Sequence, residues 1–253
     1  MAFFDADLPV NNSKLDELEI LGKKVQVENK KGILYISKNN ITIELTGVFK
    51  EKNNGDYKGK VTELVCKTGD DEPTWDISGM SYNFNDLFID IGDGKLDKVI
   101  AKIFKGKDVI WGSHFDDKLY GFDGNDTLKG WRGDDRLDGG KGKDLLQGNY
   151  GKDTFVFSEK LKKSNVDTID KFKIGEDSIE LSHKVFDGLD KGPLAAENFS
   201  VSKNAKTEDP TILYRKEKGL LLYDPDGTGD QDPKKFFKVQ KNKDFSHDDF
   251  FVA

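Results

Sequence analysis

Gly112-Ser-His-Phe-Asp-Asp117-Lys-Leu-Tyr120, Gly121-Phe-Asp-Gly-Asn-Asp126-Thr-Leu-Lys129, Gly130-Trp-Arg-Gly-Asp-Asp135-Arg-Leu-Asp138, Gly139-Gly-Lys-Gly-Lys-Asp144-Leu-Leu-Gln147 and Gly148-Asn-Tyr-Gly-Lys-Asp153-Thr-Phe-Val156 follow one another without a break. A partial copy, Gly106-Lys-Asp108-Val-Ile110-Trp, precedes them. The sixth position of the nine is always Asp: 108, 117, 126, 135, 144 and 153. The eighth is always apolar: Ile110, Leu119, Leu128, Leu137, Leu146 and Phe155. The fourth is Gly (106, 124, 133, 142, 151) except at Phe115, and the second is Ser113, Phe122, Trp131, Gly140 or Asn149.

One apolar residue in nine cannot build an amphipathic helix, and the glycines oppose one further. The pattern suits a short strand whose apolar residue points inward while its neighbours point out. The remaining residues turn the chain, so two repeats complete one coil. Strands then lie on opposite sides, with Asp-bearing turns along both edges. Turns of repeats n and n+2 stack at the strand spacing of about 4.8 Å, so an ion midway sits about 2.4 Å from each layer, a calcium–oxygen distance. Stacked carboxylates alone repel one another, and a cation between them removes that penalty. The glycines let the backbone fold tightly enough to aim its carbonyls at the same ion. No soft or nitrogen ligand is phased with the repeat, which disfavours zinc and copper. The expected stacks are Asp108 with Asp126, Asp117 with Asp135, Asp126 with Asp144, and Asp135 with Asp153, giving about four calcium ions or more. Asp116, Asp123, Asp134 and Asp138 fall out of phase and read as solvated surface.

The segment resembles the RTX (hemolysin-type) calcium-binding repeats of bacterial type I-secreted proteins. Beyond it, Asp153-Thr-Phe-Val-Phe157, Asn165-Val-Asp-Thr-Ile-Asp-Lys-Phe172 and Gly175-Glu-Asp-Ser-Ile-Glu-Leu-Ser182 are similar to the roll-closing part of serralysin-type C-terminal domains. That resemblance implies a further calcium near Asp167 and Asp170, and a hairpin over Ile212–Gly229. Asp224-Pro-Asp-Gly reads as a turn, because the twelfth position of an EF-hand loop would be Lys235 rather than Glu. The ending Asp249-Phe-Phe-Val-Ala253 resembles a type I secretion signal. No basic, long apolar leader opens the sequence and no stretch is apolar enough to span a membrane. The resemblance therefore implies a secreted, extracellular or cell-surface protein that uses the type I secretion apparatus.

Outward from the repeat, the expected fold is all-β. A parallel β-roll (a right-handed β-helix) occupies 103–157. A short-strand region over 1–102 ends in a capping helix at Lys95–Phe104, and a roll-closing region with an antiparallel hairpin spans 158–253. The N-terminal strands are expected at Lys24–Glu28, Ile33–Ser37, Ile41–Phe49, Lys60–Cys66 and Thr74–Ser78. Cys66, the one cysteine, excludes an internal disulfide and reads as a small packed side chain. The chain has 253 residues, 35% hydrophobic and 34% charged, with 18 Phe, which argues against disorder. Its net charge is −7 and it shows no basic block or stripe, which argues against a nucleic-acid partner.

The sequence contains no H-E-x-x-H, G-x-S-x-G or Walker-type loop, and His114, His183 and His247 are far apart. The expectation is therefore a non-enzymatic calcium-binding protein of the matrix or cell surface, with glycan attachment or self-assembly as its class of partner. Two alternatives stand beside it: a hydrolase or lyase with an unrecognised N-terminal site, and the folding and targeting module of a larger secreted enzyme.

Overall fold

A computed structural model describes residues 104–253 throughout and, before them, the backbone of six strands. These are β1 (Phe3–Ala6), β2 (Val25–Gln26), β3 (Ile33–Lys38), β4 (Ile41–Glu51), β5 (Tyr57–Lys67) and β6 (Pro73–Asn83). From β2 to β6 they pair antiparallel in sequence order, and β1 closes on β6. All five expected strands are present, and β1 was not foreseen. The helix expected over 95–104 and the side chain of Cys66 lie outside the described residues.

The repeat forms β7 (Lys105–Gly106), β8 (Val109–Trp111), β9 (Lys118–Tyr120), β10 (Asp123–Gly124), β11 (Thr127–Arg132), β12 (Arg136–Asp138), β13 (Lys141–Gly142), β14 (Leu145–Tyr150) and β15 (Thr154–Phe157). Pairing is parallel with a step of eighteen residues: Val109 beside Thr127 beside Leu145 on one side, Lys118 beside Arg136 beside Thr154 on the other. Two repeats thus make one coil, as the period requires. Short strands with one inward side chain each can bury it only by stacking, and the stack does so. Ile110, Leu119, Leu128, Leu137, Leu146 and Phe155 are all fully buried in one core.

The stack does not end at Phe157. Strands β16 (Asp167–Asp170) and β17 (Ser178–Leu181) continue the two sides in parallel register, burying Ile169 and Ile179 in the same column. The chain then adds β18 (Gly192–Pro193), β19 (Phe199–Ser200), the antiparallel hairpin β20 (Thr211–Arg215) and β21 (Leu220–Asp224), then β22 (Lys234–Lys238) and β23 (Phe250–Val252). β22 lies parallel to β16 and β23 parallel to β17, so each side of the roll receives one more strand from the C-terminal region. The hairpin expected at Ile212–Gly229 is therefore present. Its Tyr223 packs on Phe186 (5.1 Å) in an aromatic cluster in which Phe157 meets Phe186, Phe236 and Phe237 edge-on, with ring centroids 5.4–5.9 Å apart. β1 runs parallel to β8, so the N-terminal strands and one side of the roll share a sheet. Among the described residues no helix is long and apolar enough to cross a membrane, which says nothing of β-barrels.

Candidate calcium sites

The six position-six aspartates are all buried, at 1–2% exposure. The carboxylates of Asp126, Asp135, Asp144 and Asp153 reach back to the preceding coil. The amide of Asp108 donates to Asp126 Oδ1 (2.8 Å), Asp117 to Asp135 (2.9 Å), Asp126 to Asp144 (2.7 Å) and Asp135 to Asp153 (3.2 Å). The four stacks read from the period are all present. Two further bonds extend the columns: Asp144 donates to Asp167 Oδ1 and Asp153 to Asp177 Oδ1, both at 3.0 Å.

The second carboxylate oxygen has a different environment. Oδ2 of Asp126, Asp135, Asp144 and Asp153 is buried with no hydrogen-bond partner. A buried anionic oxygen without a partner is strongly disfavoured, and a cation is what satisfies it. The cradle is visible at the first glycine of each repeat. A β-carbon on Gly112 would lie 2.5 Å from Asp117 Oδ2 and 2.5 Å from the carbonyl oxygen of Gly130, and one on Gly121 would lie 2.9 Å from Asp126 Oδ2 beside the carbonyl of Gly139. Carboxylate and carbonyl oxygens thus converge where position one has no side chain. No three His, Cys, Asp or Glu side chains group around a point among the described residues, so carbonyls must complete any coordination shell. Hard oxygen donors with few charges suit calcium. Burial pushes the carboxyls of Asp126 and Asp135 up to about 8 and that of Asp153 up to about 6 in the metal-free fold.

At position four the carbonyls of Gly106, Phe115, Gly124 and Gly133 lie against Gly124, Gly133, Gly142 and Gly151 of the next coil, and a β-carbon on Gly142 would collide with the Gly124 carbonyl. Phe115 fits this column by its backbone while its ring is exposed. At position two Phe122, Trp131, Gly140 and Asn149 all have positive φ (66°, 81°, 76° and 76°). Phe122 and Trp131 therefore hold a left-handed conformation that bulky side chains ordinarily avoid, whereas Asn149 tolerates it. Trp131 is partly compensated by the His114 ring, 4.2 Å away centroid to centroid. Ser113 departs from this pattern: it is fully buried, its amide donates to Asp117 Oδ2 (2.5 Å) and its hydroxyl to Asp117 Oδ1 (3.2 Å). The first full turn thus already occupies the carboxylate that the others leave open.

Two expectations need correction. Asp138 is not solvated surface. It is 8% exposed, and accepts the Gly140 amide (3.0 Å) and the Ser158 hydroxyl (2.8 Å), because position nine folds against the strand that leaves the roll. Asp116 and Asp134 are exposed as expected, and each accepts the amide of the next coil's position-five residue. Asp170 does not join the columns; it stands beside Gln147, whose side-chain amide donates to it at 2.7 Å, whereas Asp167 does join.

Sequence reasoning missed Asp177, Asn165 and the position-one glycines. Asn165 accepts the Gly142 amide at 2.7 Å and extends the position-four column. Asp177-Ser-Ile repeats the Asp153-Thr-Phe order, but 24 residues on, so a nine-residue frame passes over it. The constant glycine at position one was available as a signal.

The RTX calcium-binding nonapeptide repeat family (4 copies) matches residues 104–137. The repeats form an RTX β-roll. The serralysin C-terminal family of M10 peptidases matches residues 136–191, which include the extra coil carrying Asp167 and Asp177. Among solved structures, the AlgE6R3 subunit of the Azotobacter vinelandii mannuronan C5-epimerase is similar at 25% identity, covering 58% of this chain and 78% of that one, with a TM-score of 0.37. The AlgE6R2 subunit of the same organism's epimerase is similar at 23% identity over 57% and 92%, with a TM-score of 0.34. No curated protein matches the sequence. RTX repeats bind calcium, and in this chain the buried aspartate columns are where the geometry can receive it.

The columns rank the residues of the RTX roll. Asp126 and Asp135 stand between two neighbours each, whereas Asp108 has one along its column and Asp116 lies outside. Asp126→Ala and Asp135→Ala are therefore expected to raise the calcium midpoint of folding several-fold more than Asp108→Ala or Asp116→Ala. Calcium titration followed by circular dichroism checks this, and equal midpoints for Asp116→Ala and Asp135→Ala would contradict the assignment.

Proposed function

We propose that this chain is a secreted calcium-binding protein whose roll folds on binding calcium after type I export, and that it acts without catalysis at the cell surface or in the extracellular matrix. The observation that carries this reading is the set of partnerless Oδ2 atoms on buried aspartates, repeated coil after coil. Four ions would lie at the 108/126, 117/135, 126/144 and 135/153 steps. Each would be held by Asp carboxylates with carbonyls of positions one, two and four, and the 144/167 and 153/177 steps offer two more places of the same kind. A cytosol poor in calcium would leave the roll unfolded, suited to a narrow exporter, and calcium outside would fold it. The absence of any possible disulfide suits that order of events.

The C-terminal address has a second role that bears on its test. Phe250 and Val252 are buried, and the Ala253 amide donates to Leu181 O at 3.0 Å, so Asp249–Ala253 is also a strand of the fold. In a host with a matching type I exporter, deleting Asp249–Ala253 is expected to leave the protein in the cytoplasm. Leu194→Ala, at the buried residue that follows β18 and whose amide bonds Phe250 O, is expected to be exported normally. Wild-type export of the truncated chain would reduce the tail to a structural strand. A screen of the calcium-loaded protein against polysaccharide, ester and peptide substrates tests the non-catalytic part, and turnover of any of them would overturn it.

A further inference from the structure

The cations of this acidic chain are dispersed in sequence, yet six lysines from three separate stretches meet at one cleft of about 530 Å³. Lys143 comes from the roll, one residue before Asp144; Lys162 and Lys163 come from the connection between β15 and β16; Lys234, Lys235 and Lys238 come from β22. The only lining carboxylate among the described residues is Asp232. Ion pairs among the described residues engage Arg136, Lys141, Lys173 and Lys216, and none of these six. Like charges gathered without counter-ions raise the local potential and favour an anionic occupant.

The cleft is built on fixed elements. Phe236 and Phe237, fully buried, anchor β22, and Lys238 lies opposite Thr168 of β16. The connection is pinned by the Asn165 amide donating to Lys162 O (2.9 Å) and by Asn165 Oδ1 accepting the Gly142 amide (2.7 Å). Two residues further on, Asp167 receives the Asp144 amide in the aspartate column. The wall that carries Lys162 and Lys163 is thus tied to the 144/167 step. There two buried carboxylates stack, and calcium would relieve their repulsion.

We propose that this cleft binds a carboxylated polysaccharide, a polyuronate segment, and that it does so only when the roll is loaded with calcium. The chemistry selects among polyanions. Among its described lining residues the cleft has no aromatic ring on which a base could stack, which disfavours single-stranded nucleic acid. Those residues offer ammonium groups and no guanidinium, so they suit carboxylates held at single points rather than phosphates gripped by a fork. Its concavity excludes a flat bilayer, and its apolar floor of Leu161, Val166 and Pro233 matches the C–H faces of sugar rings rather than an acidic peptide backbone. The size is that of a pocket for a few sugar units.

The calcium dependence rests on the folding reading above; the cleft itself does not. The test uses full-length protein in millimolar calcium and short oligogalacturonates, with binding followed by calorimetry and folding by circular dichroism. Binding is expected, weakening with salt, and is expected to vanish in EGTA. Lys162→Glu/Lys163→Glu/Lys235→Glu is expected to lower affinity about tenfold or more with an unchanged calcium midpoint, while Lys184→Glu/Lys191→Glu, at residues that do not line the cleft, leaves affinity unaltered. Equal binding by the triple variant, by methyl-esterified oligomers or in EGTA would overturn the proposal. So would tighter binding of single-stranded DNA, polyglutamate or anionic phosphatidylglycerol vesicles. Normal calcium folding without oligogalacturonate binding would sink this inference alone, whereas absence of calcium folding would sink the reading it builds on.

Discussion

Chelating calcium at neutral pH is expected to unfold the roll and the coil that closes it, residues 104–181, and millimolar calcium is expected to restore them, while magnesium at the same concentration is not. The physical reason lies in the balance of the column. Each repeat buries its position-eight side chain, and each coil brings two more aspartates to within hydrogen-bonding distance of the coil before it. Without a cation the buried carboxyls must either hold a charge that neither water nor protein satisfies or take up a proton that they would not carry in the unfolded chain at this pH, and both cost stability. Binding to the folded state alone stabilises it by RT ln(1 + [L]/Kd) per site, so several sites filled well above their Kd supply several kcal/mol in total. Magnesium demands a smaller octahedral shell and holds its water, and the carbonyl-rich cradle does not provide that shell. Far-ultraviolet circular dichroism during titration reads the outcome. A calcium-free spectrum already as rich in strand as the loaded one would contradict it.

Acidification in the absence of calcium is expected to do part of what calcium does. The carboxyls of Asp126 and Asp135 are pushed up to about 8 and that of Asp153 up to about 6, chiefly by burial, while in an unfolded chain they would titrate near 3.8. Asp167 and Asp144, buried together, shift in the same direction. A carboxyl whose folded value is raised binds more protons when folded than when unfolded, so the metal-free fold gains stability as pH falls. Destabilisation is full above about pH 8 and diminishes as the pH drops through the raised values toward the unfolded one. In EGTA, strand signal is therefore expected to be lowest above pH 8 and to rise as the pH is brought to about 5. Asp126→Asn/Asp135→Asn, which removes the two charges permanently, is expected to stabilise the calcium-free roll at pH 8 while weakening its response to calcium. Strand content in EGTA that stays flat or falls between pH 8 and pH 5 would show that proton uptake by these carboxyls does not govern the fold.

Much of this architecture is legible in the sequence, for a reason specific to repeats. A nine-residue period repeated without insertion determines which residues lie inward, which stack, and that two repeats make a coil, because identical units can pack only against their own copies. Position eight therefore names the core, from Ile110 to Phe155, and position six names the columns from Asp108 to Asp153. Where the period breaks, so does legibility. Asp167 and Asp177 enter the same columns after gaps of 23 and 24 residues, and only Asp167 was anticipated, through resemblance. The burial of Asp138 depends on Ser158, which belongs to no repeat. The left-handed backbone at Phe122 and Trp131 runs against their own preferences and so could not be read from them. The lysine cleft was invisible in one dimension, since no basic run exists at Lys143, Lys162–Lys163 and Lys234–Lys238 taken separately. The chain's own periodicity thus determined the roll and its aspartate columns. The tertiary structure alone decided the cleft, because only the return of β22 to lie parallel beside β16 brings charges some seventy to ninety residues apart onto one surface.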